Sequence, residues 1–192
     1  MKKKDAASSE IMNPFAVTIG LDEGLMLGAK NHLGRRASDM RGYYADEAAL
    51  EQLVAAGDPL HYEVFEVPVP EQAGHLMYCI SKLLPGVVGD EYWMTKGHYH
   101  EVPGTAEIYL CLRGEGYMVM KTADGRADAK RMVRGQMVYV PPFWAHRSVN
   151  TGGEPLISFC VYPAEAGHNY GDIATEGFPQ RVFRRHGQPV IE

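Results

Sequence analysis

Residues 97–100 read Gly-His-Tyr-His, Glu107 follows, and residues 139–146 read Tyr-Val-Pro-Pro-Phe-Trp-Ala-His. Side chains along an extended strand alternate between its two faces, so His98 and His100, two apart, point the same way. Glu107 heads the run Glu-Ile-Tyr-Leu-Cys-Leu (107–112), and Gly104 lets the chain turn back so that the carboxylate meets the imidazoles. His146 then arrives from a distant strand. Neutral imidazole nitrogens and a carboxylate oxygen suit a borderline divalent ion such as Fe(II), Mn(II), Ni(II), Co(II) or Zn(II), and four such donors leave coordination positions open. A site with open positions does chemistry. Singly, each residue would read as an ordinary strand or surface side chain; together they read as a metal site built on β-strands.

Outward from this stretch, short apolar or alternating segments recur at 62–69, 76–84, 107–112, 117–121, 136–140 and 156–162, separated by Gly, Pro and Asp. That rhythm predicts an all-β sandwich or small barrel. One helix is expected over 47–56, with Asp46 as its cap, Leu50, Leu53 and Val54 on one face, and Gly57 and Pro59 ending it. Leu-Arg-Gly-Glu-Gly-Tyr (112–117) reads as a glycine-rich hairpin turn, because the strand-like Tyr-Met-Val-Met that follows does not supply the helix a phosphate loop needs. The run 108–112 is apolar on both faces, so one face is expected to line a cavity and the other to pack on a further layer or a second subunit, which predicts a homodimer.

At 192 residues, with 45% hydrophobic and 22% charged content, the chain suits one globular domain. Residues 1–12 are expected to be loose and 13–192 to form a single domain, with a core barrel over about 62–165. A net charge of -5 argues against a nucleic-acid partner. Basic residues cluster at Lys2 to Lys4 and at Arg184 with Arg185, and both groups read as solvated tails. Lys2 to Lys4 run into Asp5 and Ser8 instead of an apolar stretch, and no run approaches membrane-spanning length, so a cytoplasmic protein is expected. Cys79, Cys111 and Cys160 stand singly in strand-like segments and read as buried thiols of a reducing compartment.

The metal-site residues, Gly114-x-Gly116 and Pro142 to His146 resemble the two-motif signature of the cupin β-barrels. More narrowly, Thr95-Lys96-Gly97-His98-Tyr99-His100, Ala106-Glu107-Ile108-Tyr109, the 139–146 stretch, and Tyr162-Pro163-Ala164 through Gly167-His168-Asn169-Tyr170-Gly171 resemble the archaeal-type cupin glucose-6-phosphate isomerases. The upstream Arg35-Arg36-Ala37-Ser38-Asp39-Met40-x-Gly42-Tyr43 stretch matches too, so the likeness covers about residues 13–178.

The resemblance implies a jelly-roll-like double sheet with a short N-terminal extension and one or two peripheral helices. It implies a homodimeric enzyme interconverting glucose 6-phosphate and fructose 6-phosphate in glycolysis and gluconeogenesis, with one divalent ion per subunit, foremost Fe(II), held by His98, His100, Glu107 and His146. It assigns Tyr62, Ser81, Thr95 and Gly97 to the phosphate, sets Tyr109, His168 and Tyr170 beside the sugar, and makes Glu107, Tyr109 and His168 the catalytic groups. Two residues depart from the pattern. Ser81 replaces a threonine but keeps the hydroxyl donor, and Asn169 replaces the aspartate of a His-Asp-Tyr run, removing an acid beside His168. Strict alternation would turn Thr95 and Gly97 away from the face of His98, so their assignment requires a bend near Gly97 or contacts through backbone atoms.

The isomerisation moves hydrogen between C1 and C2, either through an enediol with Glu107 as base or as a direct hydride shift; a carboxylate bound to a cation is a poorer base. Other classes share this donor set: another sugar-phosphate isomerase, acting on mannose 6-phosphate for example, a cupin dioxygenase, or a non-catalytic sugar-binding cupin. Turnover assays separate them.

Overall fold

Asp46 begins the helix as expected, its side chain accepting the Ala49 N–H at 2.9 Å, a cap contributing about 1 kcal/mol. In the computed structural model, which describes residues 11–192, this helix α1 spans Glu47–Ala55 and buries Leu50. The expected loose segment, apart from Ile11 and Met12, lies outside the described residues, as do Lys2 to Lys4.

Ahead of α1 come β1 (Thr18–Gly20), β2 (Leu25–Leu27), β3 (Asn31–Arg36) and a 3-10 turn (Ala37–Met40). After it follow β4 (Leu60–Glu66), β5 (Leu76–Leu83), β6 (Val87–Val88) and β7 (Glu91–Tyr92). The central strands are β8 (Glu107–Arg113), β9 (Glu115–Thr122), β10 (Ala127–Val133), β11 (Met137–Val140), β12 (Trp144–Asn150) and β13 (Leu156–Pro163). Helix α2 (Gly171–Glu176), β14 (Val182–Arg185) and β15 (Gln188–Ile191) complete the chain.

Two antiparallel sheets form the body, one in the order β11-β8-β13-β5-β4-β3 and the other β10-β9-β12. The core lies between them: Cys111 and Cys160 from the first meet Met118, Met120 and Val149 from the second in one buried cluster. This is the all-β, jelly-roll-like double sheet anticipated, with β3 extending the larger sheet upstream of residue 62. Burial alternates along β8, with Glu107, Tyr109 and Cys111 buried and Ile108, Leu110 and Leu112 outside. Leu112 is covered by a second cluster around Met26, Ile80 and Ile157, to which Val17 and Ile19 also pack. Ile108 stays 41% exposed, beside Tyr139 and Met137 of the edge strand β11, which are more exposed still.

Two expectations are corrected. The 112–117 segment is no hairpin, since β8 and β9 belong to different sheets and Gly114, at φ 79°, carries the chain from one to the other. A Cβ on Gly116 would run into the Val149 carbonyl oxygen, so glycine is required by close packing there. Nor are Arg184 and Arg185 a tail. They lie on β14 in the small sheet β15-β14-β7-β6, with Arg185 bonded to Asp90 at 3.0 Å and to Glu192 at 2.9 Å.

His61 gives the core a pH dependence. It is fully buried, accepts the Tyr44 hydroxyl proton at Nε2 (2.6 Å), and stacks on Trp93 with ring centres 4.0 Å apart. Burial pushes its pKa down to about 3, so between that value and the ordinary 6.5 the unfolded chain binds the extra proton. Stability from this group is therefore present above pH 6.5 and lost as pH falls toward 3, by about 2 kcal/mol between pH 8 and pH 5. Urea unfolding at the two pH values should show the loss in the native chain and a smaller one, by that amount, in His61→Phe, which keeps an aromatic ring against Trp93. An equal pH dependence in the variant would contradict this account.

Candidate metal centre

Reciprocal backbone bonds assemble the site. His98 N–H donates to the His146 carbonyl at 3.2 Å and His146 N–H to that of His98 at 3.1 Å, tying the extended 93–100 segment to β12. Next along, Tyr99 and Asn169 exchange bonds of 3.1 and 2.8 Å, which docks the 167–170 loop on the other side. The histidine segment is thus held by isolated bridges at His98 and Tyr99 and not by a regular strand, although the two-residue alternation holds: His98 and His100 face inward together. Glu107 enters at the head of β8.

The ligand atoms of His98, His100, Glu107 and His146 lie within 4.8 Å of one another, the spacing of groups sharing one ion at about 2 Å each. His100 Nδ1–H donates to Thr105 Oγ1 at 2.8 Å, and Thr105 gives its own proton to the Val102 carbonyl at 2.6 Å. That chain assigns the tautomer: His100 Nε2 keeps a lone pair and points at Glu107 Oε2, 3.2 Å away. His146 Nε2 is 2.8 Å from the same oxygen and 3.1 Å from the Tyr109 hydroxyl. His98 Nε2 is buried with no hydrogen-bond partner among the described residues. A lone pair facing a carboxylate and an orphaned imidazole nitrogen are what a cation between them would satisfy, so the residues fit a divalent ion.

Burial pushes His98 well below the usual imidazole range, reinforced by His146 and His168. Burial alone would raise the Glu107 carboxyl; the imidazoles of His146, His100 and His98 outweigh it and hold the group ionised. Burial, with Glu107 adjacent, raises the Tyr109 hydroxyl far above its ordinary value and keeps it a neutral donor. His168, edge-on to His98 at 4.5 Å, is also lowered, chiefly by burial.

A cavity of about 520 Å³ opens over this centre, with His98 and Glu107 in its wall. Tyr62, Ser81, Thr95, Gly97, Tyr109, His168 and Tyr170 all line it, so every expected binding residue reaches one space. Both Thr95 and Gly97 border the cavity: Gly97, at φ 78°, breaks the alternation and does so through its backbone, since a Cβ there would point at Phe178 and Arg147. Asn169 turns away from His168: its Oδ1 accepts the Gly171 N–H at 3.0 Å and its Nδ2 donates to Asp172 at 3.2 Å. His168 lies next to the Tyr99–Asn169 backbone pairing and packs edge-on against the Tyr162 ring and stacked with that of Tyr170.

Sequence reasoning missed part of the wall. Cys79 and Cys160, directly opposite across β5 and β13, both face the cavity, and strand parity with Ser81 would have found Cys79. Asn31 and Leu33 on β3 gave no signal, because Asn-His-Leu-Gly-Arg-Arg is too polar to read as a strand. The three thiols are free and buried, and that of Cys111 is pushed up to about 11 by burial, as befits a structural residue.

A model of the glucose-6-phosphate isomerase (GPI) family matches residues 34–188. The chain belongs to this family. It is 47% identical over 182 residues to a glucose-6-phosphate isomerase of Thermococcus gammatolerans, an alignment covering 95% of each chain. The enzyme of the same name from Pyrococcus furiosus is 46% identical over 178 residues, 93% of this chain and 94% of the relative. A putative glucose-6-phosphate isomerase 2 of Rhizobium meliloti is 36% identical over 178 residues, 92% of this chain and 89% of the relative. Among solved structures, a Bacillus subtilis oxalate decarboxylase mutant overlays 58% of this chain and 28% of its own at a TM-score of 0.46 and 21% identity. As a glucose-6-phosphate isomerase family member the chain is an aldose–ketose isomerase, and among its described residues no helix is long and apolar enough to cross a membrane.

Proposed function

We propose that the chain interconverts glucose 6-phosphate and fructose 6-phosphate in the 520 Å³ cavity, using one divalent ion held by His98, His100, Glu107 and His146, with Fe(II) the first candidate and Mn(II), Ni(II), Co(II) and Zn(II) the others. The observation that carries this reading is the convergence of three imidazoles and one carboxylate on a single point in the wall of a hydroxyl-lined cavity.

A bound ion would stabilise the charge that gathers on the sugar's O1 and O2 during isomerisation. The surrounding side chains orient the substrate and handle its protons. The neutral Tyr109 hydroxyl can donate to a sugar oxygen, and His168, neutral near pH 7, can take a hydroxyl proton as the ring opens. Glu107 is the carboxylate that belongs both to the ligand set and to the cavity wall, serving as ligand and, if it leaves the ion, as base. At the other end Thr95 Oγ1 accepts the Ser148 N–H at 3.1 Å, which leaves the threonine's own proton for the phosphate, and Ser81 and Tyr62 add further hydroxyl donors. Gly97, without a side chain, allows the phosphate to approach the backbone.

The reading extends to a single domain over 13–192, to a cytoplasmic place in glycolysis and gluconeogenesis, and to a homodimer. The exposed Ile108, Met137 and Tyr139 on the β8 and β11 outer face support a second subunit docking there.

The test is a coupled assay of fructose 6-phosphate conversion before chelation, after chelation, and after each candidate metal is returned, with mannose 6-phosphate and oxygen consumption run beside it. Chelation should abolish turnover, by about a thousandfold or more, and one metal should restore it. Undiminished activity in metal-free protein would end the proposal, and turnover of mannose 6-phosphate alone would reassign the substrate.

A further inference from the structure

On the inward face of β3 and β4 the register pairs Asn31 with Glu66, Leu33 with Val64 and Arg35 with Tyr62. The first two pairs and Tyr62 all line the cavity, with Lys30 and His32 at the same edge, and Arg35 stands next to this wall without forming part of it. Because residues two apart share a face, Arg35 is the next step of that ladder, beside Tyr62 at the end where the phosphate-binding residues gather. Its burial agrees, Leu33 and Arg35 being half-buried while His32, Gly34 and Arg36 are exposed. Arg35 Nε is buried with no hydrogen-bond partner among the described residues. A guanidinium N–H kept from water and left without an acceptor is costly.

A second cation stands close by. Lys96 lies between Thr95 and Gly97, both in the cavity wall, and its Nζ sits 5.2 Å from the centre of the Tyr43 ring. Arg35 opposes the burial-driven rise of both Tyr62 and Tyr170, the hydroxyls at this end of the cavity. Nearby carboxylates are otherwise engaged. Asp39 accepts the Arg36 N–H at 2.8 Å, and Glu66 is four residues along β4 from Tyr62, bonded to Asn31 and Tyr162.

From this juxtaposition we infer that Arg35, with Lys96 beside it, is the cationic seat for the substrate's phosphate and makes the enzyme select a doubly charged sugar phosphate over a neutral sugar. The inference rests on the reading of the cavity as a sugar-phosphate site and adds charge to a set so far made of hydroxyls and backbone. A dianion would supply the acceptor that Arg35 Nε lacks and balance the charge of both cations. Charged hydrogen bonds of this kind are short and strong, and a guanidinium fork matches a phosphate.

The test uses the full, metal-loaded chain with fructose 6-phosphate as substrate and inorganic phosphate as competitor. Arg35→Gln should raise KM on the order of ten- to a hundredfold, the size of a lost charged hydrogen bond, with kcat changed far less, and should weaken phosphate inhibition in step. Arg35→Lys should recover part of both, and Lys96→Gln should shift both in the same direction by a smaller factor. Should Arg35→Gln fail to fold, Arg35→Lys and Lys96→Gln still decide through the same two constants. Native KM and native phosphate inhibition in these variants would overturn the inference while leaving the phosphate site standing. Failure of inorganic phosphate to compete with substrate in the native chain would instead remove the phosphate reading on which the inference rests.

Discussion

Replacing His146 by alanine is expected to remove bound metal and to lower kcat/KM by about a thousandfold or more. The imidazole is almost wholly buried, and its Nε2 lies 2.8 Å from Glu107 and 3.1 Å from Tyr109, so it touches two of the groups around the reacting centre at once. Its loss takes away one of the nitrogen donors and one of the imidazoles that keep Glu107 ionised. The backbone exchange between residues 98 and 146 does not involve the side chain, so the fold should survive. Metal content by elemental analysis and steady-state kinetics on the same sample are the measurements. A variant without metal that retains native turnover would refute the role given to this cluster.

Gly97→Ala should have the second largest effect, and on stability as well as rate. A non-glycine residue at φ 78° costs about 1–2 kcal/mol. The added Cβ would also lie 2.7 Å from Phe178 Cε2, 2.9 Å from Arg147 Cβ and 3.0 Å from the His146 carbonyl oxygen, an overlap of the kind that costs about 1–3 kcal/mol. Together these should lower the melting temperature by roughly 10 °C in a domain of this size. The carbonyl displaced is the one that accepts the His98 N–H, so the shift falls on two ligands and activity should drop well beyond what the stability loss explains. Gly125→Ala is the control: its φ is 89°, but an added Cβ would meet nothing within 4 Å, so only the backbone cost should appear. Equal behaviour of the two variants would show that the close packing around Gly97 does not position the site.

Much of the fold was legible where strands alternate an apolar face with a second apolar or polar one, as in β4, β5, β8, β11 and β13. The strands left unread are those whose composition hides the alternation. Solvent-facing β10 is Ala-Asp-Ala-Lys-Arg-Met-Val, and β3 is a polar wall of the cavity. In β12, Ala145, His146, Arg147, Ser148 and Asn150 are all buried, so polar side chains occupy positions that a hydrophobic pattern would assign to solvent. The glycines at 114 and 116 announced a sharp turn, but turn chemistry is the same whether the next strand pairs back or crosses to another sheet.

The sequence by itself determined the donor set, because ligand chemistry and two-residue spacing are local properties that survive any choice of partner strand. It also determined the family, the α1 cap and the strands with an apolar face. The tertiary structure alone decided which faces share a cavity: that Gly97 breaks the alternation where it borders the cavity with Thr95, that Asn169 turns from His168 to the start of α2, and that Arg35 comes to stand by Tyr62. Periodicity specifies a face but not the neighbour it meets. Register is set by pairings between residues far apart in the chain, such as Arg35 with Tyr62 and His98 with His146, whose energies come from packing that no short window contains.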